Sequence, residues 1–248
     1  MDKLAIVTGT SRGLGLAVAR ELLDRDWRVA GVARSPAPAE LARSGYRHAR
    51  LDLSDVEAAS AWFEGPFREE FARSGADRLG LVNNAGVLEP MEPLATAGAA
   101  ALSRSFAVNV VAPAWLMGFA LRLAPLARLR VVNVSSGAAV NPYPGWAAYC
   151  AGKAALRMAG QVLGLEAAEV PALAGRDLAV VAYPPHVVAT AMQEAIRATS
   201  PEQFPRRQKF ALLHESGALV TPDGPAAEIA ELLGSDGLPP FSERRYEP

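Results

Sequence analysis

Cysteine is nearly absent. Cys150 stands alone in 248 residues, so no internal disulfide can form and a reducing compartment fits. Histidine is scarce as well: His48, His186 and His214 are scattered. They lack both the spacing of metal ligands and the Ser/Asp company of a hydrolase triad, so no metal site is expected. Charge of one sign is not in excess, since 25 basic and 26 acidic side chains leave a formal net charge of −1. That balance argues against nucleic acid or an anionic membrane as the main partner. Long apolar runs are missing too. The opening one is too short for a signal segment, and residues 108–121 are interrupted by Asn109, Pro113 and Gly118. A cytoplasmic protein with no membrane partner is the expectation. There is no internal repeat and no linker rich in Pro, Gly or Ser.

What is present is a large apolar content, half of all residues, enough for one extensive core. Short β-branched runs predict strands at 4–8, 28–33, 49–51, 79–82, 131–134 and 178–182. Helical periodicity falls between them at 14–25, 55–64, 98–123 and 148–168. Strands apolar on both faces, separated by helices, predict a parallel sheet covered on both sides. Right-handed crossovers then give a doubly wound α/β fold of three layers, the Rossmann arrangement, as one domain over 1–248. Residues 190–217 are more charged and break the rhythm. They read as a helical insertion able to act as a lid.

The first strand runs into Thr8-Gly9-Thr10-Ser11-Arg12-Gly13-Leu14-Gly15 and then a helix. Glycines there permit a tight turn and bring backbone N–H groups close to a pyrophosphate at the positive end of the helix. The spacing is GxxxGxG rather than GxGxxG, and a purely structural turn is the alternative. After the second strand stand Arg34 and Ser35, where NAD-binding sheets usually place an acid for the ribose 2′-hydroxyl. Arg34 and Arg12 suit a 2′-phosphate instead, which favours NADPH; two solvated arginines are the alternative. Asp52 and Leu53 follow the third strand. Asp52 can accept from the adenine amino group or cap the next helix. Asn84, Ala85 and Gly86 close the fourth strand with small residues that let the backbone run close to a coenzyme.

Tyr149 and Lys153 are four apart at the start of a helix and share a face. A tyrosine titrates at about 10, and a neighbouring ammonium favours its phenolate and lowers that value. Ser136, at the end of the fifth strand, can meet the same carbonyl oxygen from the other side. Asn109 is an amide inside an apolar stretch, needs partners, and can order a water beside Lys153.

Taken in order, the glycine turn, Asn83-Asn84-Ala85-Gly86, Asn109, Ser136, Tyr149 and Lys153 resemble the short-chain dehydrogenase/reductase family along essentially the whole chain. Asn133-Val134-Ser135-Ser136, the run from Pro144 to Ala155, Gln161-Val162-Leu163 and Thr190-Ala191-Met192-Gln193 are similar to its sepiapterin reductase branch and the bacterial reductases of diketones such as benzil. The resemblance implies a catalytic tetrad of Asn109, Ser136, Tyr149 and Lys153. It implies coenzyme contacts from Gly9, Ser11, Arg12, Gly13, Leu14 and Gly15, from Arg34 and Ser35, and from Asp52 and Leu53. Asn84, Ala85, Gly86, Tyr149, Lys153, Pro185, Val188, Thr190 and Met192 complete that implied set. It further implies NADPH/NADP+ as coenzyme, a small-molecule carbonyl substrate, and a homodimer built on long helices, with a tetramer as the larger option.

Two departures stand out. Pro185-His186 occupies the place of the family's Pro-Gly, and Ala189-Thr190 that of its Asp-Thr. Glycine allows positive φ and close approach to the nicotinamide amide, whereas His186 adds a ring that reshapes the substrate side. The tail from Phe241 to Pro248 matches the usual last strand poorly and offers no counterpart to the branch's pterin-holding Asp. Leu88, Trp146 and His186 are the expected substrate wall. His48 reads as a surface residue ahead of a strand and Cys150 as a small packed side chain. The expected activity is NADPH-dependent reduction of a ketone or diketone with Tyr149 as general acid. Its alternatives are an alcohol dehydrogenase working in the oxidative direction and a nucleotide-sensing protein that keeps the fold without the chemistry.

Overall fold

The computed structural model describes residues 2–124 and 127–248. β1 (Lys3–Thr8) leads through the glycine turn to α1 (Gly13–Asp24), β2 (Arg28–Ala33) and β3 (Tyr46–Arg50). There follow α2 (Val56–Trp62), α3 (Arg68–Ser74), β4 (Arg78–Asn83), α4 (Ala99–Phe106) and α5 (Ala112–Leu123). β5 (Arg128–Val134), α6 (Ala147–Glu169) and β6 (Leu178–Tyr183) continue the alternation. α7 (Ala191–Ala198), α8 (Arg207–Glu215), α9 (Asp223–Gly234) and β7 (Phe241–Glu243) end it. The seven strands form one parallel sheet in the order β3-β2-β1-β4-β5-β6-β7. This is the doubly wound Rossmann arrangement.

Why the sheet closes on itself in layers is visible in its burial. β4 and β6 are buried along their whole length, so each strand supplies apolar side chains to two cores at once. On one face Leu81, Val131 and Val180 pack under Phe63, Phe67, Leu116, Phe119 and Leu156. On the other, Val7, Val82 and Val181 pack under Leu14, Val18, Leu22, Ile229 and Leu233 of α1 and α9. Fully burying each large side chain contributes about 1.5–3 kcal/mol, so the sandwich is held mainly by these layers. The helical run Ala99–Leu123 is long and apolar enough to cross a membrane by composition alone. Here Leu116, Phe119 and Ala120 spend that character on the sheet.

Three sequence expectations need correction. The third strand spans Tyr46–Arg50 rather than 49–51. It is an edge strand with polar residues in alternation, so its apolar signal is weak. The tail does form a strand, β7, paired through Val180↔Phe241 to Ala182↔Glu243. The expected single helix over 98–123 is broken by a π turn at Ala107–Val111. Residues 190–217 carry two helices, α7 and α8, and Phe204 and Phe210 join Leu88, Trp146, Tyr149 and Ile196 in a third small core above the sheet.

Candidate active site

The C-terminal ends of the central strands open into a cavity of about 1120 Å³. It lies where the sheet order reverses between β1 and β4, the place where open α/β sheets bind ligands. One end is lined by Gly9, Ser11, Arg12, Gly13 and Leu14, by Arg34, Ser35, Asp52 and Leu53, and by Asn84, Ala85 and Gly86. The other is lined by Leu88, Ser136, Trp146, Tyr149 and Lys153, and by Pro185, His186, Val188, Thr190 and Met192. Gly15 and Asn109, both expected in the site, stand behind its wall.

The glycine turn is built for close approach. Gly9 and Gly13 have φ of +78° and +59°, conformations that side chains with a Cβ resist. A Cβ on Gly15 would lie 2.3 Å from the Gly9 carbonyl oxygen, so this glycine serves the packing of α1 under the turn. Thr8 Oγ1 accepts from the amides of Asn84 and Ala85 at 3.0 Å each, and Asn84 Nδ2 donates to the Thr8 carbonyl at 2.8 Å. These bonds latch the loop after β4 onto the turn. α1 begins without a side-chain cap and with no acid in its first turn, so its leading amides suit an anion. Arg12 and Arg34 are exposed, and among the described residues neither guanidinium has a hydrogen bond or ion pair. The Asp52 carboxyl is held below its ordinary range by the amide and hydroxyl of Ser54, both at 2.9 Å, with a smaller pull from Arg34. Asp55 caps α2, accepting from the Ala58 amide, which removes the capping alternative for Asp52. A turn cleared of side chains, an uncapped helix and two exposed cations together fit a nicotinamide dinucleotide.

At the other end Tyr149 and Lys153 project from the first turns of α6 and are 6% and 4% exposed. Ser136 follows β5; its Oγ accepts from the Ala138 amide at 3.1 Å, and its side chain is near enough to Tyr149 to draw the phenol's pKa down. Lys153 Nζ donates to the Val134 carbonyl at 2.7 Å and lies 5.7 Å from the Tyr149 ring centre. Burial pushes the Tyr149 phenol up to about 12, opposed by Ser136, and draws Lys153 down to about 8. The expectation that Lys153 lowers the Tyr149 pKa is therefore not met in the protein alone. Both groups are desolvated, and the ammonium is directed at a carbonyl rather than at the phenol oxygen.

Asn109 sits in the π turn, whose extra residue re-aims a helix position, a device common at functional sites. Its Oδ1 accepts from the Val87 amide at 3.0 Å, and its Nδ2 donates to the Val87 carbonyl at 2.9 Å and to Ser105 Oγ at 3.2 Å. It thus clamps the loop after β4. Only Gly86 separates it from Lys153: a Cβ there would lie 3.2 Å from Asn109 Oδ1 and 3.7 Å from Lys153 Nζ.

This end of the cavity is aromatic. Trp146 stacks on Phe204 with ring centres 4.3 Å apart and meets Tyr149 edge-on at 5.4 Å. Tyr143 and Phe210 complete the cluster. Phe204 and Phe210 escaped the sequence reading, although two phenylalanines in a charged segment were the available signal. Arg245 in the tail also lines the cavity and went unread. His186 is exposed with φ of +65°. It keeps the left-handed backbone that a glycine would adopt without strain. Cys150 is half-buried, with its Sγ 3.8 Å from the Asn141 carbonyl.

Residues 3–201 match the family model of the short chain dehydrogenases. The chain belongs to the short-chain dehydrogenase/reductase family. It is 34% identical to a benzil reductase ((S)-benzoin forming) of Bacillus cereus, over 96% of each chain. It is 32% identical to the sepiapterin reductase of Mus musculus, covering 94% of this chain and 92% of the relative. Among solved structures it superposes on the KRED1-Pglu enzyme with a TM-score of 0.77 at 29% identity, over 97% of this chain and 100% of the other. A metagenomic short-chain oxidoreductase in complex with NADP gives 0.68 at 26% identity, over 98% and 96%. The chain is thus an oxidoreductase of this family, similar to benzil and sepiapterin reductases.

Proposed function

We propose that this oxidoreductase is an NADPH-dependent carbonyl reductase acting on aryl ketones and diketones. The observation that carries the reading is a single cavity joining the exposed Arg12 and Arg34 to Ser136 and the buried Tyr149 and Lys153. The aromatic wall of Trp146, Tyr143 and Phe210 supports an aryl substrate, as does the likeness to benzil reductases.

When bound, the nicotinamide coenzyme supplies the hydride that adds to the carbonyl carbon. All else falls to the chain. Arg12 and Arg34 hold the 2′-phosphate, and the glycine turn holds the pyrophosphate on the α1 amides. Pro185, Val188, Thr190 and Met192 position the nicotinamide end. Ser136 orients the substrate carbonyl, and Tyr149 gives its hydroxyl proton to the oxygen as charge develops there. Lys153 grips the ribose and returns a proton towards Tyr149, while Asn109 fixes the Val87 loop and offers its remaining Oδ1 lone pair to a relay water. A phenol kept protonated by burial is the form that donates in reduction, and the same group serves as the base when the reaction runs as alcohol oxidation. Residues 190–217, through Phe204 and Phe210, form the lid. Phe106, Val111, Met158, Val162 and Leu165 leave an exposed apolar stripe on α4 to α6, which supports a homodimer.

The test is NADPH oxidation with benzil. The wild type is expected to turn over, and Tyr149→Phe to lose about a thousandfold in kcat with NADPH binding retained. An NADPH-bound wild type that turns over no diketone, aryl ketone or corresponding alcohol would overturn the reading in favour of a nucleotide sensor.

A further inference from the structure

Tyr46, His48 and Arg50 occupy alternate positions of β3 and so share one face of the edge strand. Each reaches a different piece of the coenzyme end of the cavity. Tyr46 Oη lies 3.0 Å from Thr10 Oγ1, inside the glycine turn, and 2.9 Å from His48 Nδ1. His48 Nε2 lies 2.9 Å from the Ser35 carbonyl, and Arg50 Nε donates to the Arg34 carbonyl at 3.0 Å. His48 is therefore half-buried within β3 and fully engaged, not a surface residue ahead of a strand.

The direction of the chain follows from chemistry. A carbonyl only accepts, so Nε2 carries the proton and Nδ1 accepts the Tyr46 hydroxyl; the Tyr46 oxygen then accepts from Thr10. The route exists because position 31 is glycine. A Cβ there would stand 2.2 Å from Tyr46 Oη, and the Tyr46 ring crosses β2 over that gap. Thr10 is fully buried, so its link to Tyr46 is sheltered from competing water.

The segments joined in this way, Thr10-Ser11-Arg12 and Arg34-Ser35, carry the two guanidinium groups of the cavity that have no hydrogen bond or ion pair among the described residues. Their side chains are unrestrained, so the spacing of the two arginines is set by their backbones. We propose that His48 and Arg50 are positioning residues for coenzyme selectivity. They hold the Arg34–Ser35 carbonyls against β3 and, through Tyr46 and Thr10, lock that segment to the glycine turn, keeping Arg12 and Arg34 on one 2′-phosphate. The inference rests on the NADPH reading above. Its physical basis is preorganisation: the ordering of two segments is done before the ligand arrives.

The experiment measures binding of 2′,5′-ADP and 5′-ADP by calorimetry, with no turnover involved. The wild type is expected to prefer 2′,5′-ADP. His48→Ala should lose about tenfold of that preference, the scale of one hydrogen bond, with 5′-ADP affinity little changed. His48→Gln should regain it, since its amide nitrogen can occupy the place of imidazole Nε2. Tyr46→Phe, which keeps the ring over Gly31, should show a smaller loss in the same direction, and it serves if His48→Ala fails to fold. A wild type without preference defeats the NADPH reading itself. A wild type with preference, matched by full preference in both His48→Ala and Tyr46→Phe, overturns this inference alone. So does an equal loss of both nucleotides, which marks a merely structural role.

Discussion

The two ends of the sheet use arginine in opposite ways. At the N-terminal end Arg78 and Arg130 are 4% and 1% exposed, and their guanidinium groups are engaged with the protein. Arg78 donates to the carbonyls of Leu233 and Gly234 and pairs with Asp236. Arg130 donates to the carbonyls of Ser235 and Asp177 and pairs with the Asp177 carboxylate at 2.6 Å. These groups close the negative end of α9, where cations are favourable. At the C-terminal end Arg12 and Arg34 line a cavity, exposed, with no hydrogen bond or ion pair from either guanidinium among the described residues. A guanidinium buried and engaged inside the protein is architecture. One left open beside an uncapped helix and a glycine turn is a binding group.

That contrast can be broken by experiment. Arg34→Asp should change selectivity and little else. We expect the NADPH-to-NADH ratio of kcat/KM to fall by about a hundredfold as a charge-assisted contact becomes a repulsion. Stability should stay within about 0.5 kcal/mol, as at other exposed positions. Arg130→Met should do the reverse. It removes the guanidinium bonds to the Ser235, Leu129 and Asp177 carbonyls and the pairing with the Asp177 carboxylate, at a cost of roughly 2 kcal/mol in urea unfolding, with coenzyme ratio unchanged. A selectivity change in Arg130→Met, or a large stability loss in Arg34→Asp, would erase the distinction between the two ends.

The third expectation concerns pH. Lys153 is drawn down to about 8 by burial, so its charge is lost far earlier than in an exposed lysine. kcat/KM for carbonyl reduction should decline above about pH 8, approaching tenfold per unit, and the decline should be absent from the residual activity of Lys153→Met. For stability the sign is opposite. Between about 8 and the ordinary lysine value of 10.5 the unfolded chain binds more protons at this site than the folded one. The Lys153 contribution to stability therefore rises with pH across that window, and chemical denaturation at several pH values checks it.

Much of the fold was legible because burial on both faces writes itself into composition. β1, β4 and β6 are continuous apolar runs, and the helices between them keep their period. β3 was misplaced because Arg47, His48 and Arg50 interrupt any apolar run, and Tyr46 is only partly buried against the core. β7 is three residues long and pairs only at the edge, too little for any pattern. The π turn at Ala107–Val111 leaves the apolar period nearly intact while re-aiming Asn109. In the site, Tyr149, Lys153 and the glycine turn were readable as local spacings. The Thr10–Tyr46–His48–Ser35 chain was not, because it joins three segments whose adjacency only strand pairing creates. Phe204 and Phe210 were hidden for the same reason: their partner Trp146 lies far away in sequence.

His186 has a bearing on how this chain will respond to selection. A left-handed conformation is about 1 kcal/mol easier for glycine than for a side chain with a Cβ, and His186 holds it while facing the cavity. A library sorted for heat resistance alone should therefore drift to glycine or asparagine here, with no knowledge of the substrate. A library sorted for turnover of bulky ketones has a different reason to keep or replace the imidazole. Position 186 is where those two lineages should part first, and sequencing both pools would read the tension between durability and chemistry from a single column.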